Sequence, residues 1–363
     1  MEALLDMNTD ELKMLMAELG QPSFRAAQLF KGFSQGKAPC EMSNIPSALV
    51  EGFTVVEGGF AQPSALVHKL GAIKMGGASI LKKLVGKDGT RKYLFSLEDG
   101  NIVEGVLMQY RYGNTVCIST QVGCAMGCAF CASTLEGRVR NLRPGEMLAE
   151  VLCVNKDAEQ DGLEKVSNIV LMGSGEPLDN FDNVVKFLHL LNAPEGLNIS
   201  MRNISLSTCG LVDKIYSLAQ LHLGITLSIS LHAPNDDIRR QTMPVAKVWP
   251  IEKLIEAARM YVKTTGRRVI FEYTLIKGVN DSRDNATELA GRLRGMQCHV
   301  NLIPLNKVKE RKFDKATDLQ ITEFEKRLRQ LGISCSVRRE MGSDIAGACG
   351  QLRRSSLGGE GEI

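Results

Sequence analysis

In Thr115-Val-Cys117-Ile-Ser-Thr-Gln-Val-Gly-Cys124-Ala-Met-Gly-Cys128-Ala-Phe-Cys131 a short apolar strand runs into a glycine-containing loop carrying three cysteines, spaced four and then three residues apart. From here onward, short apolar runs alternate with helical ones. Strands are expected at Thr115–Thr120, Asn168–Met172, Ile204–Ser207, Thr226–His232, Val269–Leu275 and Val300–Pro304. Helical periodicity lies between them, as at Gly145–Asn155, Val184–Leu191, Ile251–Val262 and Leu319–Leu331. Each such stretch is long enough to cross back to a parallel strand with the usual right-handed connection. Six units predict an α/β fold, a partial (β/α)6 TIM-like barrel open on one side. Chemistry in such barrels gathers where strands end, because loops there can vary without disturbing the packed interior.

Upstream the pattern changes. Between Leu81 and Gln109 apolar and polar residues alternate, as in Lys92–Leu97 and Ile102–Leu107, with turn signals at Lys87-Asp88-Gly89 and Asp99-Gly100, so a strand ribbon is expected. Asn8–Leu19 reads as an amphipathic helix with Leu12, Leu15, Met16 and Leu19 on one face and Gly20 as its stop; Ser23–Phe33 reads as a second. The expected division is an N-terminal helical accessory domain with linker over 1–80, a strand extension over 81–113, the barrel over 114–340, and a C-terminal loop and tail over 341–363. The tail Gly358–Ile363 is expected to fray.

A chain of 363 residues has room for one large core and a smaller attached unit. With 44% hydrophobic and 23% charged residues it is a globular sequence, neither disordered nor fibrous. It contains no run of 18 apolar residues, and its first segment, MEALLDMNTDELKMLM, is acidic, so neither a membrane span nor a secretory leader is expected and the chain is read as cytoplasmic. In that reducing compartment ten cysteines point to metal binding or catalysis rather than to a disulfide framework. A net charge of +3 does not announce a nucleic-acid binder. Four basic pairs, Arg239-Arg240, Arg267-Arg268, Arg338-Arg339 and Arg353-Arg354, are candidates for a local patch.

Cys124, Cys128 and Cys131 are the candidate metal ligands. A cubane iron-sulfur cluster that only carries electrons takes four thiolates, so a compact triplet leaves one iron open to another ligand. A zinc site would call for a second Cys or His pair at matching spacing, and none is visible. Cys40, Cys153, Cys209, Cys298 and Cys335 lack ligand spacing and read as small apolar fillers.

The CxxxCxxC triplet resembles the signature of the radical S-adenosylmethionine (SAM) superfamily. Further stretches narrow the likeness: Thr115–Cys124, Leu171-Met-Gly-Ser-Gly175-Glu176-Pro-Leu178, Leu206-Ser207-Thr-Cys-Gly210, Ser230-Leu-His232-Ala-Pro, Asn301-Leu-Ile-Pro-Leu-Asn306 and Ala348-Cys349-Gly-Gln-Leu352. Together they resemble the RlmN family, bacterial dual-specificity methyltransferases that act on adenine C2 in 23S rRNA and tRNA. The resemblance covers the chain from Ser23 to Leu352.

That resemblance implies a 4Fe-4S cluster held by the three cysteines, with SAM on the open iron and two SAM consumed per turnover. Adenine C2 has no nucleophilic lone pair, so a radical route is needed. Cys349 would carry the methyl group; a radical formed at SAM would remove hydrogen from it; the resulting carbon radical would add to C2. Cys117 matches the thiol that then attacks the Cys349 sulfur, forming a transient disulfide. Glu104 matches the acceptor of the C2 proton. Gly175, Glu176, Ser207, Ser230, Leu231, His232 and Asn306 match SAM contacts. Cys349 sits on a Gly-containing loop that is expected to move. The resemblance also implies a flavodoxin-like electron donor, a thiol reductant and a monomer, with Phe24–Phe30 as an RNA-docking helix. Where relatives carry Trp, this chain has Gly32-Phe33. The alternatives are an adenine-C8 enzyme of the Cfr family and a radical SAM enzyme of another class. The latter would have no use for Cys117 and Cys349 together.

Overall fold

The computed structural model describes residues 3–46, 49, 74–348, 350, 351, 355 and 356. Two helices open the chain, α1 (Thr9–Glu18) and α2 (Phe24–Ser34). The Asn8 side chain caps α1 by accepting from the amides of Asp10 and Glu11, two of the donors a helix start leaves unpaired. Strands β1 (Ala78–Val85), β2 (Arg91–Leu97), β3 (Asn101–Tyr110) and β4 (Gly113–Ile118) follow as an antiparallel ribbon. A small hairpin, β5 (Gln121–Gly123) and β6 (Arg138–Asn141), encloses the cysteine loop.

Beyond it come α3 (Pro144–Gln160), β7 (Val166–Leu171), α4 (Phe181–Asn192), β8 (Ile204–Thr208), α5 (Val212–Gln220), β9 (Thr226–Ser230), α6 (Asp236–Thr242), α7 (Ile251–Thr265) and β10 (Val269–Leu275). Next are α8 (Arg283–Leu293), β11 (Cys298–Pro304), α9 (Asp318–Gln330), β12 (Cys335–Val337) and β13 (Ser355–Ser356), which pairs with β3.

The main sheet runs β1-β2-β3-β4-β7-β8-β9-β10-β11-β12 and is parallel from β4 onward. The six expected barrel strands are there, joined by a seventh, β12, whose three residues are too few to show a period in sequence. The order ends at β1 and β12 without closure among the described residues, so the barrel is open.

Alternation within the strands positions the site. Ile204, Leu206, Leu227, Ile229, Phe271 and Tyr273 are buried in the main apolar core. Ser207, Ser230, Glu272 and Thr274, on the opposite faces of the same strands, line a cavity. Parallel strands covered on both faces are usually apolar throughout; here the inner face is polar because it surrounds a space.

The same core takes in Leu4, Leu12 and Phe30 at the N-terminus and Phe324 and Leu328 on α9. Buried Asp6 ties the start of the chain to α3, accepting from the Gly145 amide at 2.8 Å and from Arg143 at 3.1 Å. Lys186 on α4 pairs with Glu11 on α1 at 2.8 Å. At the other end, the described part of the C-terminal loop is anchored to the β1–β2 turn: the Gly342 amide donates to Asp88 and the Lys87 amide to Asp344, both at 3.0 Å. The tail Gly358–Ile363 and the pair Arg353-Arg354 lie outside the described residues. Among those described, no helix is long and apolar enough to cross a membrane.

Candidate active site

Cys124, Cys128 and Cys131 line one cavity at the C-terminal ends of the barrel strands. The loop that carries them closes through a near contact only glycine allows. Gly123 has φ +74°, and a Cβ there would sit 1.9 Å from the Gly137 carbonyl oxygen. Gly175, at φ +112°, is confined in the same way; its Cβ would lie 2.7 Å from Thr120 Oγ1 and from Gln121 Cβ.

Burial pushes the Cys124 thiol up to about 12 and the Cys128 thiol well above its ordinary value, with the neighbouring sulfurs adding to both shifts. Such thiols become good ligands only when a cation offsets the cost of ionising them. Among the described residues no three His, Cys, Asp or Glu side chains converge on a point that could hold a single ion. Three thiols spread around a common cavity instead suit a polynuclear iron-sulfur cluster, in which each thiolate binds a different iron. The donor set therefore fits the cluster.

Most of the residues matched to SAM line the same cavity: Gly175, Glu176, Ser207, Ser230, His232 and Asn306. Leu231 does not: its side chain is fully buried in the core, and its amide donates to the Glu272 carbonyl at 3.1 Å. Glu176 is buried, and its carboxylate already accepts from two amides, Cys209 at 2.7 Å and Leu178 at 3.0 Å, tying the end of β7 to the end of β8. The Thr208 and Cys209 side chains also hydrogen-bond to this carboxylate. Ser207 and Ser230 place their hydroxyls 3.5 Å apart.

His232, at φ +53°, accepts at Nδ1 from the Thr274 amide, 2.9 Å away. The ring proton therefore sits on Nε2. Burial, helped by the charge of Arg239, lowers its pKa to about 3, so the imidazole is neutral. Phe130, within the cysteine loop, packs edge-on against it at 4.9 Å.

Arg239 was not legible from the sequence. The pair Arg239-Arg240 suggested a surface patch, yet Arg239 is fully buried. Its guanidinium donates to the carbonyls of Cys209 at 2.6 Å, Leu231 at 3.2 Å and Ser230 at 3.3 Å, fastening the ends of β8 and β9 behind the cavity. Cys209, read as a filler, lines the cavity as well. Cys40 departs from that reading differently, being exposed.

A second cavity adjoins the first and shares Met172, Ile303, Asn306 and Arg338 with it. Cys117 lines it, opposite Val106 in the β3–β4 register. Glu104 lies two residues before Val106, hence on the same face of β3. It is buried and paired with buried Lys92 at 3.0 Å. Lys92 also donates to the Ala346 carbonyl at 3.3 Å, which links the carboxylate to the C-terminal loop. Cys349 lies outside the described residues. Its neighbours bracket the two cavities: Ala348 lines the one with Cys117, Gly350 the one with the cysteine triplet, and the Gly350 carbonyl accepts from the Ala132 amide at 2.8 Å.

Known proteins resemble this chain in sequence and fold. Residues 118–290 match the model of the Radical SAM superfamily. The chain is 49% identical to the "Probable dual-specificity RNA methyltransferase RlmN" of Alkaliphilus metalliredigens, covering 97% of this chain and 95% of that one. It is 48% identical to the protein of the same description from Clostridium novyi, covering 98% and 99%. The crystal structure of a radical SAM methyltransferase from Sphaerobacter thermophilus superposes with a TM-score of 0.89 at 41% identity, covering 97% of this chain and 99% of that one.

Proposed function

This chain belongs to the RlmN family of radical SAM RNA methyltransferases, and on that premise we propose that it methylates C2 of adenine in 23S rRNA and tRNA, with Cys349 as methyl carrier. The observation that carries this reading is the pair of adjoining cavities. One gathers three thiols and a polar wall for cluster and SAM; the other holds Cys117 beside Ala348, one residue before the proposed carrier. When bound, a 4Fe-4S cluster with SAM supplies one-electron cleavage of the sulfonium and so a hydrogen-abstracting radical.

The protein's own residues have the following parts. Cys124, Cys128 and Cys131 hold the cluster. Neutral His232 presents an Nε2–H donor, Ser207 and Ser230 present hydroxyls, and Glu176, fixed by its hydrogen bonds to the β8 end, supplies an acceptor wall, together orienting SAM. Glu104, held in place by its ion pair with Lys92, accepts the proton leaving C2. The Cys117 thiolate then attacks the Cys349 sulfur; the sulfur–carbon bond breaks with its electron pair staying on the product carbon, which takes up a proton to complete the methyl group, a disulfide forms, and a thiol reductant restores both cysteines. The target adenine must leave its stack, because C2 is hidden in a paired or stacked base.

Mass spectrometry of RNA after anaerobic turnover tests this. The expected product is 2-methyladenosine in both RNAs. An 8-methyladenosine product would place the chain with the C8 enzymes, and unmodified RNA alongside active SAM cleavage would overturn the assignment.

A further inference from the structure

β3 and β4 are joined by a two-residue turn, Arg111-Tyr112, with Tyr110 paired to Gly113. The turn is pinned from behind: Gly113 has φ +121°, and a Cβ there would come within 2.2 Å of Ser167 Oγ. Tyr110 and Tyr112 stack with ring centroids 4.9 Å apart and planes 7° from parallel. Tyr110 is half-buried and lines the cavity that holds Cys117. Tyr112 is 71% exposed, so with Tyr110 covering one of its faces, the other is open to solvent. The charge of Arg338, which lines both cavities, acts on the Tyr112 hydroxyl. Exposed Arg339 lines the same cavity as Tyr110, and exposed Arg111 sits between the tyrosines.

We infer that the Tyr110–Tyr112 stack, flanked by Arg338 and Arg339, is a platform on which a single-stranded nucleobase of the RNA stacks near the target adenine. The inference rests on the reading of the chain as an RNA methyltransferase and adds where the RNA is gripped. A rigid, nearly parallel pair of rings with one free face accepts a third ring at little entropic cost, and any base has a π-face to offer. Guanidinium groups beside such a face pair with the phosphates on either side of the stacked base. Tyr110 adjoins Gly113, four residues before Cys117 on β4, a separation of about 13 Å along an extended strand. That distance suits a nucleotide close to the target rather than the target itself.

The test is fluorescence anisotropy at fixed salt with a labelled RNA hairpin that carries an adenine in its single-stranded loop, using cluster-loaded enzyme. Tyr112→Ala is expected to weaken binding by between about fivefold and about 100-fold. Its salt dependence should stay as in the wild type, since no charge is lost, while Tyr112→Trp restores affinity. Arg339→Ala should flatten the salt dependence. Unchanged iron content and melting temperature in Tyr112→Ala establish that the variant folds. Wild-type affinity in Tyr112→Ala would overturn the platform. So would normal RNA binding combined with slower reduction by a flavodoxin, which would make the tyrosines a docking face for a protein. If the wild type itself fails to bind the hairpin, the RNA assignment falls and the platform with it, an outcome distinct from failure of the variant alone.

Discussion

The cluster cavity and the Cys117 cavity share walls, yet they hold their polar groups in opposite ways. Around the cysteine triplet, burial drives groups toward neutrality: the thiols are pushed up, His232 is pushed down, and Glu176 is raised by its burial. What fixes them is backbone hydrogen bonding at strand ends. Beside Cys117, the antiparallel ribbon buries a charged pair, Lys92 and Glu104, and ties it to the C-terminal loop. A pre-shaped pocket whose thiols and imidazole are held neutral is suited to a cofactor that brings its own charge. The ion pair fixes the Glu104 carboxylate in place on the same face of β3 as Val106, which lines the Cys117 cavity. One sheet thus carries two environments, with the charged pair on its antiparallel ribbon.

If the two cavities have separable tasks, cysteines on either side of the divide fail in different ways. Cys128→Ala is expected to bring iron content and 5′-deoxyadenosine formation to background. Cys117→Ala should keep both and instead accumulate a protein–RNA adduct that survives denaturation, visible as a shifted band on a denaturing gel. Loss of iron in Cys117→Ala would merge the cavities into one functional unit.

The buried pair gives a smaller, structural effect. Lys92→Met leaves Glu104 without its counter-ion in a site closed to water, and is expected to destabilise the fold by about 3–5 kcal/mol in denaturant titration. Adding Glu104→Gln should recover much of that loss. If the single variant is as stable as the wild type, the charges are not coupled and the contrast between the cavities weakens.

The smallest effect concerns His232. Its folded pKa of about 3 lies below the ordinary 6.5, so its contribution to stability is fully present above pH 6.5 and is lost as the pH falls toward about 3. Replacing it with glutamine should make the apoprotein's stability less acid-sensitive, by at most about 1.4 kcal/mol per pH unit below 6.5. Urea titrations of wild type and His232→Gln at about pH 7 and about pH 5 measure the difference. Equal pH slopes would mean that the imidazole is not held neutral by burial.

The barrel was legible because its signals are local. Strand stretches with alternating apolar residues, such as Ile204–Leu206 and Phe271–Tyr273, are interleaved with helical periods, and the thiol spacing is written within eight consecutive residues. Gly175, Ser207, Ser230, His232 and Asn306, which the family resemblance singles out, line one cavity with the triplet. Leu231 shows the limit: adjacent to two cavity residues in sequence, it points its side chain into the core, because neighbours in extended chain face opposite ways.

The sequence by itself determined the class of fold, the three-thiol loop and the family. Only the tertiary structure decided that Arg239 is an internal fastener rather than surface charge, that Lys92 is the partner of Glu104, and that Tyr110 and Tyr112 stack at the edge of the Cys117 cavity. The reason is physical. Periodicity and ligand spacing express contacts between near neighbours in the chain, whereas the pairing of Arg239 with Cys209 and Leu231, or of Lys92 with Ala346, depends on which strand ends the sheet brings side by side.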